Sequence, residues 1–246
     1  MTAFDIENLL EFNPPGCHCE KCLALLSSPL HLTYKGSRLF CPTCGVEYIR
    51  TEEFKHPHQY LDSMGCNIEF NEIVEHARGL ARIAWQIRNS KCPPLSGLLR
   101  ALNAAQQFIH FATWNISHVM IGALKMAAQR VNVRGFVAVA EARTLSELTN
   151  YKVEAPQLQV KVLGSEGSWS NLAHQKLVVI DGLLAFEGSA NMTQDAWRNA
   201  AEGRDRVRVV TDADEVIGLH NKYFSPIWAK LSNLGEKISM ETKVPF

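Results

Sequence analysis

A chain of 246 residues with 46% hydrophobic and 20% charged residues can bury a sizeable core, which excludes a disordered polymer. Its 25 basic residues balance its 25 acidic ones, so no global field draws it to nucleic acid and any basic footprint has to be local. No run approaches the ~20 apolar residues of a membrane helix. Met1 to Glu11 carries acidic residues rather than a basic segment followed by an apolar one. A cytoplasmic protein without integral membrane association is expected.

The first specific signal is a pair of C-x2-C segments, Cys19-Glu20-Lys21-Cys22 and Cys41-Pro42-Thr43-Cys44. The gap between them, Leu23 to Phe40, has the spacing of a four-cysteine zinc site. Gly36 and Gly45 suit tight turns beside a metal. A closed four-cysteine site leaves no open coordination position, so the Zn2+ expected here is structural. It supplies stability that few apolar residues cannot. Disulfides are the rival reading, which the close pairs and the missing secretion signal disfavour. Cys17 can replace Cys19 with altered spacing, and His56, His58 or Cys66 can take one position. The expected unit is a zinc-ribbon-like module with its connector over residues 1–66, offering a surface for a protein partner.

A second domain is expected over 67–246. Ile68, Ile73, Ala77, Leu80, Ala81, Ala84 and Ile87 share one face of a helix over Asn67–Asn89. Pro93-Pro94 ends it, with Cys92 just before as a free buried thiol. Leu95–Gln107 reads as a helix, Phe108–Thr113 as a buried strand, Ser117–Arg130 as a helix and Val133–Ala140 as a parallel strand with a right-handed crossover. Gln157–Leu163 reads as a strand, followed by a Gly/Ser-rich loop, Gly164–Ser170. Trp169 in that loop and Trp114 after the earlier strand either stack on a base or pack against the core. Val207–Val210 is a strand, and Thr211 or Asp212 caps a helical pattern from Asp214 to Leu234, with Glu215 three residues beyond Asp212. The local cations are Arg198, Arg204, Arg206 and Arg208, the last three alternating as on a solvated sheet face.

The second specific signal is H-x-K-x4-D-x6-G-S-x-N, filled by His174, Lys176, Asp181, Gly188, Ser189 and Asn191. Leu177-Val178-Val179-Ile180 is a buried strand, and period 2 puts His174 and Lys176 on one side of it. Asp181-Gly182 is a two-residue turn signal, and Leu183–Phe186 is the returning strand. The hairpin therefore carries Ser189 and Asn191 back beside His174 and Lys176.

These six residues resemble the full signature of the phospholipase D superfamily, most strongly over about Ala101 to Val210. The resemblance implies an α/β fold, a mixed sheet covered by helices on both faces with the hairpin central, preceded here by the small zinc module. It implies attack of a neutral His174 imidazole on a phosphodiester phosphorus, giving a covalent phosphohistidine. A second imidazole protonates the leaving oxygen and later activates water. Lys176, Ser189 and Asn191 face the non-bridging oxygens, with Gly188 beside them, and catalysis requires no metal. Asp181 takes a structural or orienting part. Glu202 is either an acid that orients the imidazole or a solvated residue after a short helix.

The motif occurs once; His220-Asn221-Lys222 lacks the residues that should follow it. Chemistry that needs two imidazoles then implies a homodimer with one shared active site. The expected function is a metal-independent endonuclease acting on DNA or RNA, in a bacterial restriction or phage-defence setting. A phospholipid hydrolase or phosphatidyl transferase is the alternative within the same chemistry. A catalytically quiet module that binds nucleic acid or protein is the alternative outside it.

Overall fold

The computed structural model describes residues 19, 22–25, 38–40, 43, 47–49, 70–138, 144, 147–148, 155–163 and 176–231. Two short strands, β1 (Arg38–Phe40) and β2 (Glu47–Ile49), pair antiparallel near the N-terminus. Helices α1 (Phe70–Arg88) and α2 (Pro94–Ala104) follow, then β3 (Phe108–Thr113), α3 (His118–Ala127), β4 (Asn132–Val137) and β5 (Leu158–Val162). The hairpin β6 (Lys176–Ile180) and β7 (Leu184–Gly188) leads into α4 (Gln194–Ala201), β8 (Val207–Val210) and α5 (Ala213–Tyr223).

Six strands form one mixed sheet in the order β5-β4-β3-β6-β7-β8. β3, β4 and β5 run parallel, and β6, β7 and β8 are added antiparallel. The β6–β7 hairpin is thus interior to the sheet. Period-2 patterning divides the core in two. Ile109, Phe111, Val133, Val178, Ile180, Phe186 and Val209 face a layer that includes Leu80, Leu98, Ile121 and Trp197 from α1 to α4. Phe108, Ala112, Phe136, Leu177, Val179 and Val210 face Val216, Phe224, Ile227 and Trp228, together with Leu23 and Leu25 from the N-terminal segment. Strands covered on both sides read as continuous apolar runs, as Leu177 to Ile180 does. Each large side chain buried this way contributes about 1.5–3 kcal/mol of transfer free energy.

Most elements fall within a few residues of their expected places, and the differences sit at ends. α2 stops at Ala104, and the residues up to Phe108 enter β3 with their N–H groups turned to a side chain. α3 spans His118–Ala127 and β4 stops at Val137. The hairpin turn has three residues between the last paired positions, Ile180 and Leu184, not two. The C-terminal helical pattern is broken at Phe224 and resumes over 225–231. At the break, the buried Phe224 ring stacks on His110 at 4.8 Å and on Trp228 at 5.5 Å. His220, outside the motif, is fully buried, with its Nε2 2.8 Å from Nδ1 of the equally buried His110. One ring must hold a proton on the shared edge and the other a bare nitrogen.

Gly135 lies beside Phe111 across the β3–β4 pair, and a Cβ there would come 2.3 Å from the ring. Gly135→Ala is expected to lower stability by about 1–3 kcal/mol through overpacking. Urea denaturation should show a lower midpoint with the slope unchanged; an unaltered midpoint would mean that the ring has room to move.

Candidate active site

Lys176 opens β6 and Gly188 closes β7, and the register sets them directly opposite each other. β8 begins at the same level, with Val207 against Gly188. β3 lies antiparallel to β6 with Ala112 opposite Leu177, so Thr113 and then Trp114 reach the same edge. One end of the sheet thereby gathers Trp114, Lys176, Gly188, Ser189 and Asn191. His174 and Trp169 lie outside the described residues, as do Cys41 and Cys44.

Gly188 is required by close approach, because a Cβ there would stand 2.0 Å from the carbonyl oxygen of Arg206. That proximity lets the two backbones bond. Ser189 N–H donates to Arg206 O at 2.9 Å, and Arg206 N–H donates to Ser189 Oγ at 2.9 Å. The hydroxyl proton goes to Asp205 Oδ1 at 2.8 Å. Ser189 is thus held by three hydrogen bonds, and its single proton reaches a bound oxygen only by leaving Asp205.

The loop after Ser189 is fixed to the end of β3. Met192 N–H donates to Thr113 Oγ1 at 3.0 Å, and Ser117 N–H donates to Met192 O at 3.0 Å. Thr193 then caps α4 by accepting from Ala196 N–H. Between these anchors Asn191 is half-buried, and its Oδ1 is enclosed without a hydrogen-bond donor among the described residues.

Lys176 is also half-buried. Burial pushes its ammonium below the usual lysine range, and the Asp205 carboxylate opposes that shift. Asp205 therefore acts on two motif residues, by a hydrogen bond on Ser189 and by its field on Lys176. Sequence reasoning missed it because it sits between Arg204 and Arg206 in a run that looks like a solvated face. That run also reads differently in the structure. β8 starts only at Val207, and Arg208 is bound by Glu187 across the sheet and by Glu215 of α5. Arg204 pairs with Glu202, and both are exposed at the end of α4.

Asp181, to which the resemblance gives a structural or orienting part, stands apart from the other motif residues. It lies at the opposite end of β6, about 16 Å from Lys176 at ~3.3 Å per residue, and has no exposed surface. Its carboxylate accepts from the N–H groups of Gln106 and Gln107 at 2.9 Å, from Phe108 N–H at 2.8 Å, and from His76 Nε2 at 2.6 Å. With its acceptor sites filled it closes the hairpin turn and takes no part at the Lys176 end. Its φ of 55° is one that Asp tolerates, and Gly182 follows at 69°. His76 was missed because only apolar positions of α1 were counted. A groove of about 1110 Å³ lined by His76, Arg82, Arg100, Gln106, Gln107 and Arg130 opens at this end.

Cys19 and Cys22 are fully buried. They belong to the segment that covers the second sheet face, whereas Lys176 shares its parity with Val178 and Ile180 on the first.

A family model described as "Cardiolipin synthase, PLD-like domain" matches residues 98–228. No curated protein matches the chain. Among solved structures it is similar to NucT from Helicobacter pylori, with 20% identity and a TM-score of 0.44, covering 59% of this chain and 91% of that one. It is similar to Nuc from Salmonella typhimurium, a phospholipase D family member, with 18% identity and a TM-score of 0.38, covering 51% and 81%. An archaeal chromatin protein, TrmBL2, gives 14% identity and a TM-score of 0.38, covering 80% and 76%.

Two outcomes are expected from this geometry. Asp181→Asn places an amide NH2 among backbone donors in a closed site and should cost about 3–5 kcal/mol, read as a drop in denaturation midpoint. Asp205→Asn removes the carboxylate that favours the charged form of Lys176. The ammonium should then lose its proton at lower pH than in the parent chain. NMR titration of the lysine Nζ measures this directly, and an unchanged midpoint would remove Asp205 from the site.

Proposed function

This chain belongs to the phospholipase D-like family by its match over residues 98–228, and we propose on that premise that it is a metal-independent endonuclease. The observation that carries the reading is the convergence of Lys176, Ser189 and Asn191 at one end of the sheet, on a hairpin whose strand is preceded two residues earlier by His174. A phosphodiester placed there meets an ammonium and neutral donors held by backbone contacts, which suits the spread negative charge of the transition state. The His174 imidazole attacks phosphorus, a P–N bond forms, and the P–O bond to the leaving strand breaks. A second imidazole gives that oxygen its proton and then takes one from the water that hydrolyses the phosphohistidine. The chain has one such motif, so the second imidazole comes from His174 of a second copy, and the site is shared across a twofold homodimer. Glu202, exposed at the end of α4 and paired with Arg204, is assigned an orienting part toward an imidazole of that dimer.

Nucleic acid, DNA or RNA, is favoured over lipid by three features. There is a single motif, a C-x2-C module stands at the N-terminus, and no helix among the described residues is long and apolar enough to cross a membrane. Trp114, half-buried beyond β3, is the residue assigned here to stack on a base. The cytoplasm and a restriction or phage-defence setting complete the proposal. The description of the matching family favours a second reading, phosphatidyl transfer or phospholipid hydrolysis.

The deciding experiment is cleavage of single- and double-stranded DNA and RNA at low salt in EDTA, wild type against His174→Ala. Cleavage should survive chelation and fall by about three orders of magnitude or more in the variant. Cleavage equal in the variant, or lost in EDTA while the chain keeps its structural zinc, would sink the proposal. Intact nucleic acids beside turnover of phospholipid vesicles would establish the second reading.

A further inference from the structure

The second face of the sheet is covered by residues from both ends of the chain. Leu23 and Leu25 are buried in one apolar cluster with Val216, Phe224, Ile227 and Trp228. The junction is also hydrogen-bonded. Leu25 N–H donates to Asn221 Oδ1 at 2.7 Å, and Leu25 C=O accepts from Asn221 Nδ2 at 2.7 Å, so one carboxamide replaces a strand partner. Nearby, Ser225 Oγ donates to Thr43 Oγ1 at 3.0 Å and lies 3.9 Å from Cys22 Sγ. Thr43 stands between Cys41 and Cys44 in the sequence. A single serine on the C-terminal helical segment thus adjoins both C-x2-C segments, which are far apart along the chain.

The first segment also has a knuckle's backbone. Leu23 N–H donates to Cys19 O at 2.7 Å, Cys19 N–H donates to Ala24 O at 2.8 Å, and Leu23 takes a φ of 59°. Both thiols of this turn have no exposed surface. In the sequence the second segment lies between β1 and β2. Two buried thiols on one such turn suit a soft divalent cation, which they bind as thiolates, releasing their protons.

We propose that Cys19 and Cys22, with Cys41 and Cys44 supplied by the second segment on its sequence spacing, hold a tetrahedral Zn2+ that props the catalytic sheet. The zinc segment is then part of the floor of this domain, not a separately tethered reader. A continuous path runs from the knuckle to the sheet. Leu25 binds Asn221, Asn221 Oδ1 lies 3.1 Å from His220 Nδ1, and His220 meets His110 in β3, the strand beside the hairpin. The proposal is independent of the substrate and of the nuclease reading.

Metal analysis and hydrogen exchange on the full chain test it without any activity assay. The protein should carry about one zinc per chain. Removing zinc with a thiol-blocking mercurial and a chelator should speed exchange of amides in 19–25, in 213–231 and in β3 together. The increase should be on the order of a hundredfold, the factor expected for a ligand bound at ~100 times its dissociation constant. Asn221→Ala retains all four cysteines and guards against a cysteine variant that fails to fold. It should keep the zinc while protection at 213–231 no longer follows metal removal. Absence of zinc from the purified chain overturns the site. Zinc whose removal affects only residues before 70 overturns the coupling.

Discussion

The carboxylate of Asp181 is the interaction on which the arrangement depends. A buried charge is tolerated only when its oxygens are met by donors, and here three successive backbone N–H groups and one imidazole meet them. Those donors come from the entry of β3 and from α1, so one side chain ties a turn, a neighbouring strand and an outer helix together. β6 runs straight from this anchor to Lys176, which places the reactive end of the hairpin from behind. His76 lies ahead of the stretch that matches the family, so α1 is joined to the hairpin through a residue of its own.

The far end of the hairpin is held by a different device. Gly188 lets the backbone of Arg206 come close, Ser189 is bonded into that approach, and Thr113 fixes the loop that carries Asn191. Rigid neighbours, not the reacting groups themselves, set the geometry. Fixed donors are worth more where charge develops than the same donors in water, although the Ser189 hydroxyl must first release Asp205. Asp205 moderates two of them, holding the Ser189 proton and favouring the charged form of Lys176. Structural and chemical duties are thus separated along a single strand, and a groove of about 1110 Å³ lies at the structural end.

Beneath the sheet, the buried His110–His220 contact and the Asn221 clasp join the C-terminal helices to both the central strand and the first cysteine pair. The two rings are accommodated so deep in the core because each bonds the other along one edge, with the Phe224 ring stacked alongside.

Much of this was legible in the sequence, for physical reasons that differ by element. The buried strands announce themselves through apolar runs, the hairpin through Asp181-Gly182, the last helix through Asp212 and Glu215, and the motif through residue types whose spacing matches the pleat. These signals are local, because periodicity and turn chemistry act over a few residues. Pairings between distant segments were not legible. Asp205 beside Ser189, His76 on Asp181, His110 on His220 and Ser225 between the cysteine segments each join positions brought together only by the order of strands in the sheet. The sequence by itself determined which residues can do the chemistry and which stretches are buried. Tertiary structure alone decided which donors Asp181 meets, because His76 and the Gln106 to Phe108 backbone reach it only through the packing of α1 and β3 against the hairpin.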